Sequence, residues 1–157
     1  MDSQTVRSAG MAAEVGYDAA KKTKGRKRFV MVDTLGYILA ILVTTADTTE
    51  RDGGKELLAA ALGHLPWMRK VWVDGGFSGP DFANFAAELR AKLEIEVVKR
   101  SDTAKGFEVL PKRWIVERTF GWLMQCRRLV RDYEQTVSSA TAWIHVAMIR
   151  LMLRRLA

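Results

Sequence analysis

Two apolar, β-branched runs, Phe29-Val30-Met31-Val32 and Tyr37-Ile38-Leu39-Ala40-Ile41-Leu42-Val43, stand on either side of Asp33-Thr34-Leu35-Gly36. Runs of this kind around a short glycine-bearing spacer predict a β-hairpin between Arg28 and Asp47. Asp52-Gly53-Gly54 then offers an N-cap before a helix over Lys55–Leu62, which His64-Leu65-Pro66 closes. Lys70-Val71-Trp72-Val73-Asp74 reads as a short buried strand ending on an acid, and Gly75-Gly76 lets the chain turn sharply after it. An amphipathic helix over 79–92 and an alternating strand over 94–99 follow. From Lys112 the pattern is helical, in two pieces broken near 133–139. Residues 3–25 are small, polar and basic without sustained periodicity, which predicts a long loop or extended arm.

The resulting order of hairpin, helix, strand, helix, strand and helices predicts an α/β fold: an RNase H-like mixed sheet flanked by helices, in one domain over residues 1–157. The first strand of such a sheet precedes Asp2, so it is expected to be truncated. If that strand ends at Asp2 and the strand ending at Asp74 runs parallel to it, the two acids emerge at one edge of the sheet. The same reasoning sends Asp33 to the opposite edge, in a turn. Asp47 falls on the edge of Asp2 and Asp74, either as a competitor or as an exposed loop acid.

Hydrophobic residues at 48% and charged residues at 27% are the balance of a folded soluble protein. The net charge of +7 is unevenly placed: residues 111–157 carry nine Lys or Arg against three Asp or Glu, and Lys21–Arg28 packs six cations into eight positions. Such clusters suit a polyanion, because each phosphate neutralised releases counterions; a solvated basic face without a partner is the alternative. The lone Cys126 and the two histidines exclude an internal disulfide and a Cys/His zinc site. The apolar stretch from Ala142 to Leu156 is interrupted by His145, Arg150, Arg154 and Arg155, so no membrane span is expected. A reducing cytoplasm fits.

Helical spacing around Glu117 puts Arg113, Glu117, Gly121 and Arg128 on one face, and Gly121 leaves open space one turn beyond the acid. A surface ion pair between Arg113 and Glu117 is the alternative use of this acid. Three carboxylates converging from separate elements are what a pair of hard divalent cations requires. Two such ions stabilise the attacking and leaving oxygens of an in-line phosphoryl displacement, so no Ser/His/Asp arrangement is needed.

The segments DSQTVRSA, GYDAAKKTKGRKRFVMVDTLG, TADTTERDGG, VWVDGGFSG and RWIVERTFGWLMQCRRLVRDYE together resemble the DDE-type bacterial insertion-sequence transposases, in the branch whose glutamate lies in a VERTFGWL-type helix. The similarity covers almost the whole chain. It implies that Asp2, Asp74 and Glu117 are catalytic metal ligands for two Mg²⁺ ions, with Mn²⁺ able to substitute. It also implies that Arg113 contacts the DNA backbone near the cleavage site. Charge adds Lys21, Lys22, Lys24, Arg26, Lys27, Arg127 and Arg128 as expected phosphate contacts. Trp114 and Trp122 are expected in the core, with base stacking as the alternative.

Two positions depart from the family's extended helix signature: Leu110 stands where a tyrosine can precede, and Met124 where a basic residue can follow. Members also carry an N-terminal helical DNA-recognition region and an apolar strand leading into DSQ. Neither stands in this chain, which is therefore expected to be a catalytic-domain fragment. Its expected partners are transposon-end and target DNA, a second copy in a homodimer and a separately encoded N-terminal transposase part, at the bacterial nucleoid. The implied activity is metal-dependent cleavage of transposon ends followed by strand transfer. A catalytically inactive DNA-binding or dimerising remnant, or a two-metal nuclease, are the alternatives.

Overall fold

A computed structural model describes residues 1–98 and 112–156. Four strands form one sheet: β1 (Asp2–Arg7), β2 (Gly16–Asp18), β3 (Thr23–Val32) and β4 (Ile38–Thr45). The long strand β3 is its spine, with β1 antiparallel on one edge and β2 and β4 antiparallel on the other. Helix α1 (Glu50–His64) leads to β5 (Lys70–Val73), a 3₁₀ turn over Gly75–Phe77, α2 (Pro80–Leu89) and β6 (Glu94–Val97), which pairs parallel with β5. Helices α3 (Arg113–Met124), α4 (Arg127–Val130) and α5 (Val137–Leu156) complete the described chain. This is the mixed α/β, RNase H-like arrangement expected. The two sheets meet where the Met1 ammonium donates to the Trp72 carbonyl at 2.7 Å.

The arm expected over residues 3–25 is instead mostly strand. Asp2 opens β1 rather than ending a strand, and β1 pairs with β3 from Asp2↔Val30 to Arg7↔Gly25. Within β1 only Ser3 and Val6 are buried, so its pattern carries almost no apolar signal; the edge of β3 imposes the extended conformation. Helix α1 begins five residues earlier than expected. Thr49 caps it, accepting from the Asp52 amide at 3.1 Å, and Gly53 and Gly54 lie inside. Both glycines are there for space: a Cβ would stand 2.2 Å from the Phe29 ring at Gly53 and 2.6 Å from Phe77 at Gly54. Helix α2 ends at Leu89, short of the expected 92, because Arg90 turns extended and donates to the Leu62, Leu65, Pro66 and Met68 carbonyls at the end of α1. The strand expected over 94–99 ends at Val97, and Lys99 lies outside the described residues. The C-terminal region is three helices rather than two.

Two cores lie on the two faces of the sheet. Phe29 and Met31 face Leu57, Leu58, Ala61 and Phe77, while Val30 and Val43 face Val116, Phe120, Leu123, Leu129 and Ile144. Of the apolar residues of α5, Ile144 covers the core. Trp143, Val146, Ile149, Met152 and Leu153 are exposed. Trp114 and Trp122 are also outside the buried core, contrary to expectation: the Arg118 guanidinium lies over both rings, and Arg155 over Trp122 and Tyr37. Val116, Phe120 and Leu123 take the inward face of α3 instead, which turns the tryptophans to the side.

Glu134 locks the start of α5. It accepts from Arg128 and from the Ser139 hydroxyl, and these hold its carboxyl below the usual range, the Ser139 bond most, against the opposing effect of burial. A depressed folded pKa contributes stability that is present above the ordinary carboxylate range and lost as pH falls through the folded value. The chain is therefore expected to lose thermal stability on acidification below about pH 4.5, and Glu134→Gln is expected to flatten that loss. Melting temperatures of both chains between pH 7 and pH 3 check it, and parallel curves would remove Glu134 as a cause.

Candidate active site

Asp2 and Asp74 reach the same groove by different routes. Asp2 opens β1, half-buried, and shares its sheet face with Val30, its pairing partner. Asp74 follows the last residue of β5 and caps the 3₁₀ turn, its Oδ1 accepting from the Gly76 amide at 2.9 Å. Between β1 and β5 the Met1 amine is buried. Burial pushes it down to about 6, against the opposing pull of Asp2 and then Asp74. Both acids line the groove, together with Arg69, Lys70 and Lys112.

The sequence reading missed Glu50. As the first residue of α1 it looks like an acid complementing a helix N-terminus, and nothing in the pattern sets it apart. In the fold its Oε1 accepts from the Ser3 hydroxyl at 3.2 Å, next to Asp2. Its Oε2 lies 1.6 Å from where a Cβ on Gly76 would stand, and Asp74 Oδ1 lies 3.2 Å from the same point. Gly76 is thus required for room beside two carboxylates. Its φ is not positive, so the freedom to turn, expected of the glycine pair, is not what it supplies.

Glu117 lies exposed on α3, directly after Val116, which packs on the sheet beside Val30. Ile115 and Val116 line the groove, but Glu117 is not among its lining residues. Among the described residues no three of His, Cys, Asp and Glu are disposed to hold one metal ion. Of the three acids expected to meet, Asp2 and Asp74 line the groove, and Glu117 stands on α3 directly after Ile115 and Val116, which line it too. The donor chemistry still suits a hard divalent cation, since both groove acids offer carboxylate oxygens. Gly121 has the open surroundings expected, for a Cβ there would meet nothing within 4 Å. The side chain of Arg113 and the residue Leu110 lie outside the described residues.

Asp33 serves the hairpin turn, accepting from the Leu35 and Tyr37 amides at 2.8 Å. It also lines the groove, three residues along β3 from the partner of Asp2, or about 10 Å. Asp47 is exposed and lies against Gly16 of β2 instead of the groove, whose lining does not include it.

Lys21, Lys22, Lys24 and Arg127 are exposed, as a phosphate contact requires. Arg128 is half-exposed and engaged with Glu134 at 2.6 Å and with the Trp143 ring. Arg26 and Lys27 depart from expectation, because both are buried. The Arg26 guanidinium is 1% exposed, pairs with Asp132 at 3.0 Å and donates to the carbonyls of Ala13, Glu14, Glu134, Gln135 and Thr136. Lys27 donates to the Thr48 carbonyl and lies 3.7 Å from Asp18. A cation run in a strand alternates sides, and here its members are used to pin loops to β3.

No helix among the described residues is long and apolar enough to cross a membrane. A family model described as the transposase DDE domain matches residues 1–152. No curated protein and no solved structure matches the chain.

Proposed function

The chain belongs to the transposase DDE-domain family, and from that premise we propose that it cleaves transposon-end DNA in a metal-dependent step and joins the freed end to target DNA. The observation that carries this reading is the convergence of Asp2 and Asp74 on one groove from strands far apart in sequence. Asp2 and Asp74, with Glu117 from α3, would hold two Mg²⁺ ions, or Mn²⁺ in their place. When bound, such ions act as Lewis acids on the oxygens of a phosphoryl displacement. Glu50 positions the site by holding Ser3 beside Asp2 and filling the space over Gly76. Lys112, Lys70 and Arg69 on the rim, together with Arg113, Lys21, Lys22, Lys24 and Arg127, draw in the phosphate backbone. A second copy packs on the exposed apolar side of α5, so that two ends are handled together.

The test is a supercoiled plasmid carrying the genomic segment that encodes the chain. Incubation with Mg²⁺ or Mn²⁺ is expected to nick it at the ends of that segment, a chelator to stop the nicking, and a joined product to separate a transposase from a nuclease. Nicking that persists in chelator would overturn the metal requirement.

A second reading, a DNA-binding remnant without catalysis, is favoured by the absence of a three-acid cluster among the described residues. It expects no cleavage with any metal. Either reading expects salt-sensitive binding: four or five phosphate contacts give a slope of log affinity against log salt of roughly −4. Filter binding between 50 and 200 mM salt checks this, and a slope near zero would remove DNA as the partner.

A further inference from the structure

Glu117 and the two groove aspartates stand on separate elements, so α3 must be fixed against the sheet for the three to act together. Val116, Phe120 and Leu123 pack α3 onto Val30 and Val43. Such packing decides which side of the helix faces inward, but it is non-directional and resists sliding along the helix axis only weakly. A slip of one residue would carry Glu117 about 1.5 Å.

Directional ties run from α3 to the turn between β3 and β4. Thr119 is fully buried, and its hydroxyl lies 2.7 Å from the Gly36 carbonyl and 3.1 Å from the Ile115 carbonyl one helical turn back. A hydroxyl carries one proton, and the shorter distance assigns it to Gly36. Arg118 Nη2 donates to the Leu35 carbonyl at 2.8 Å, while its Cζ lies 4.4 Å from the centre of the Trp114 ring and 4.7 Å from that of Trp122. Gly36 is held at a φ of +89°, and a Cβ there would stand 2.9 Å from the Trp122 ring and 3.0 Å from the Thr119 hydroxyl. Asp33 shapes the same turn through the Leu35 and Tyr37 amides, and with Thr34 it lines the groove. The turn thus meets the groove at its start and α3 at its end. Glu117 stands two residues before Thr119, and Val30, the pairing partner of Asp2, stands three residues before Asp33.

We propose that the turn over residues 33–36 sets the place of Glu117 relative to Asp2 and Asp74, with Thr119, Gly36 and Arg118 as its positioning residues. This rests on the reading of Glu117 as the third metal ligand. The path from Asp2 to Glu117 runs through a paired strand, a capped turn and a buried hydroxyl, each fixed in direction by hydrogen bonds. Cutting the ties between turn and helix lets α3 slide, and a misplacement of about 1 Å is enough to cost about a hundredfold in an oriented reaction. An ion that needs Glu117 is then held more weakly, whereas one held by Asp2 and Asp74 alone is not.

Titration of the full chain with Mn²⁺, with free ion read by electron paramagnetic resonance, tests this without DNA or cleavage. The unaltered chain is expected to take up two ions of unequal affinity, and Glu117→Gln to weaken one of them. Thr119→Val keeps the branched shape and loses the donor. It is expected to weaken that same ion at least tenfold and to leave the other within twofold, while Thr119→Ser, which keeps the hydroxyl, binds both within threefold of the unaltered chain. Arg118→Met removes the donor to Leu35 from a half-buried side chain and is expected to weaken the same ion at least threefold, so the test stands even if the valine variant does not fold. A purely structural role would lower the melting temperature without separating the two ions. If Glu117→Gln weakens an ion and the folded Thr119 and Arg118 variants do not, the proposal alone is overturned. Equal weakening of both ions, or a serine variant as weak as the valine one, overturns it as well. If Glu117→Gln leaves both ions unchanged, or the unaltered chain takes up no Mn²⁺, the reading of Glu117 falls and the proposal falls with it.

Discussion

Asp74→Asn is expected to leave the fold intact and to reduce DNA nicking by roughly 10²–10³-fold or more, the equivalent of several kcal/mol of transition-state stabilisation. The substitution separates two roles of one side chain. The amide oxygen of asparagine still accepts from the Gly76 amide, now made at 2.9 Å, so the turn after β5 keeps its cap. What disappears is a negative charge on a rim where Asp2 and Glu50 are close by. Losing it relieves like-charge crowding, so the melting temperature is expected to hold or rise slightly while the hard-cation site weakens. Nicked plasmid against time in Mn²⁺, with thermal unfolding in parallel, reads both. Nicking at the unaltered rate would end the proposed role of Asp74.

Asp132→Asn is expected to destabilise the chain by about 3–5 kcal/mol, the usual cost of leaving a buried charge without its partner. On a domain of this size that lowers the melting temperature by roughly 6–20 °C. Asp132 is the counter-charge of Arg26, and its carboxylate also opposes the fall that burial imposes on Arg28, which stands at about 10. It accepts from the Ser8 hydroxyl and the Glu134 amide as well. Removing both charges, as Arg26→Met with Asp132→Leu, is expected to recover only part of the loss. Pairs of buried ions are often replaceable by apolar residues, but here five carbonyls would lose their donor and Arg28 would remain buried. Thermal unfolding of the three chains checks the order. Asparagine within about 0.5 kcal/mol of the unaltered chain would mean that the pair stabilises nothing.

These two positions also mark how far the sequence could be read. Asp74 was legible because a short apolar strand ending on an acid and a glycine pair is a local pattern. Asp132 was not, because its partners at Arg26 and Ser8 are more than a hundred residues away. The cation run Lys21–Arg28 read as a single basic patch, yet the loops docked on β3 divide it into exposed Lys21, Lys22 and Lys24 and buried Arg26, Lys27 and Arg28. Glu50 stayed invisible because a first-turn acid is ordinary in any helix.

By itself the sequence determined the hairpin, the order of helices and strands, the family and the identity of three candidate acids, since each depends on periodicity or on short motifs. Only the tertiary structure decided that β1 exists, that Gly53, Gly54 and Gly76 serve close approach, that Arg26 and Lys27 are internal, and that Asp2 and Asp74 share a groove while Glu117 stands on the adjoining helix. The reason is physical. Local pattern reports the energy of a residue against its chain neighbours, whereas burial of charge, steric room and convergence depend on segments that meet only after the sheet has formed.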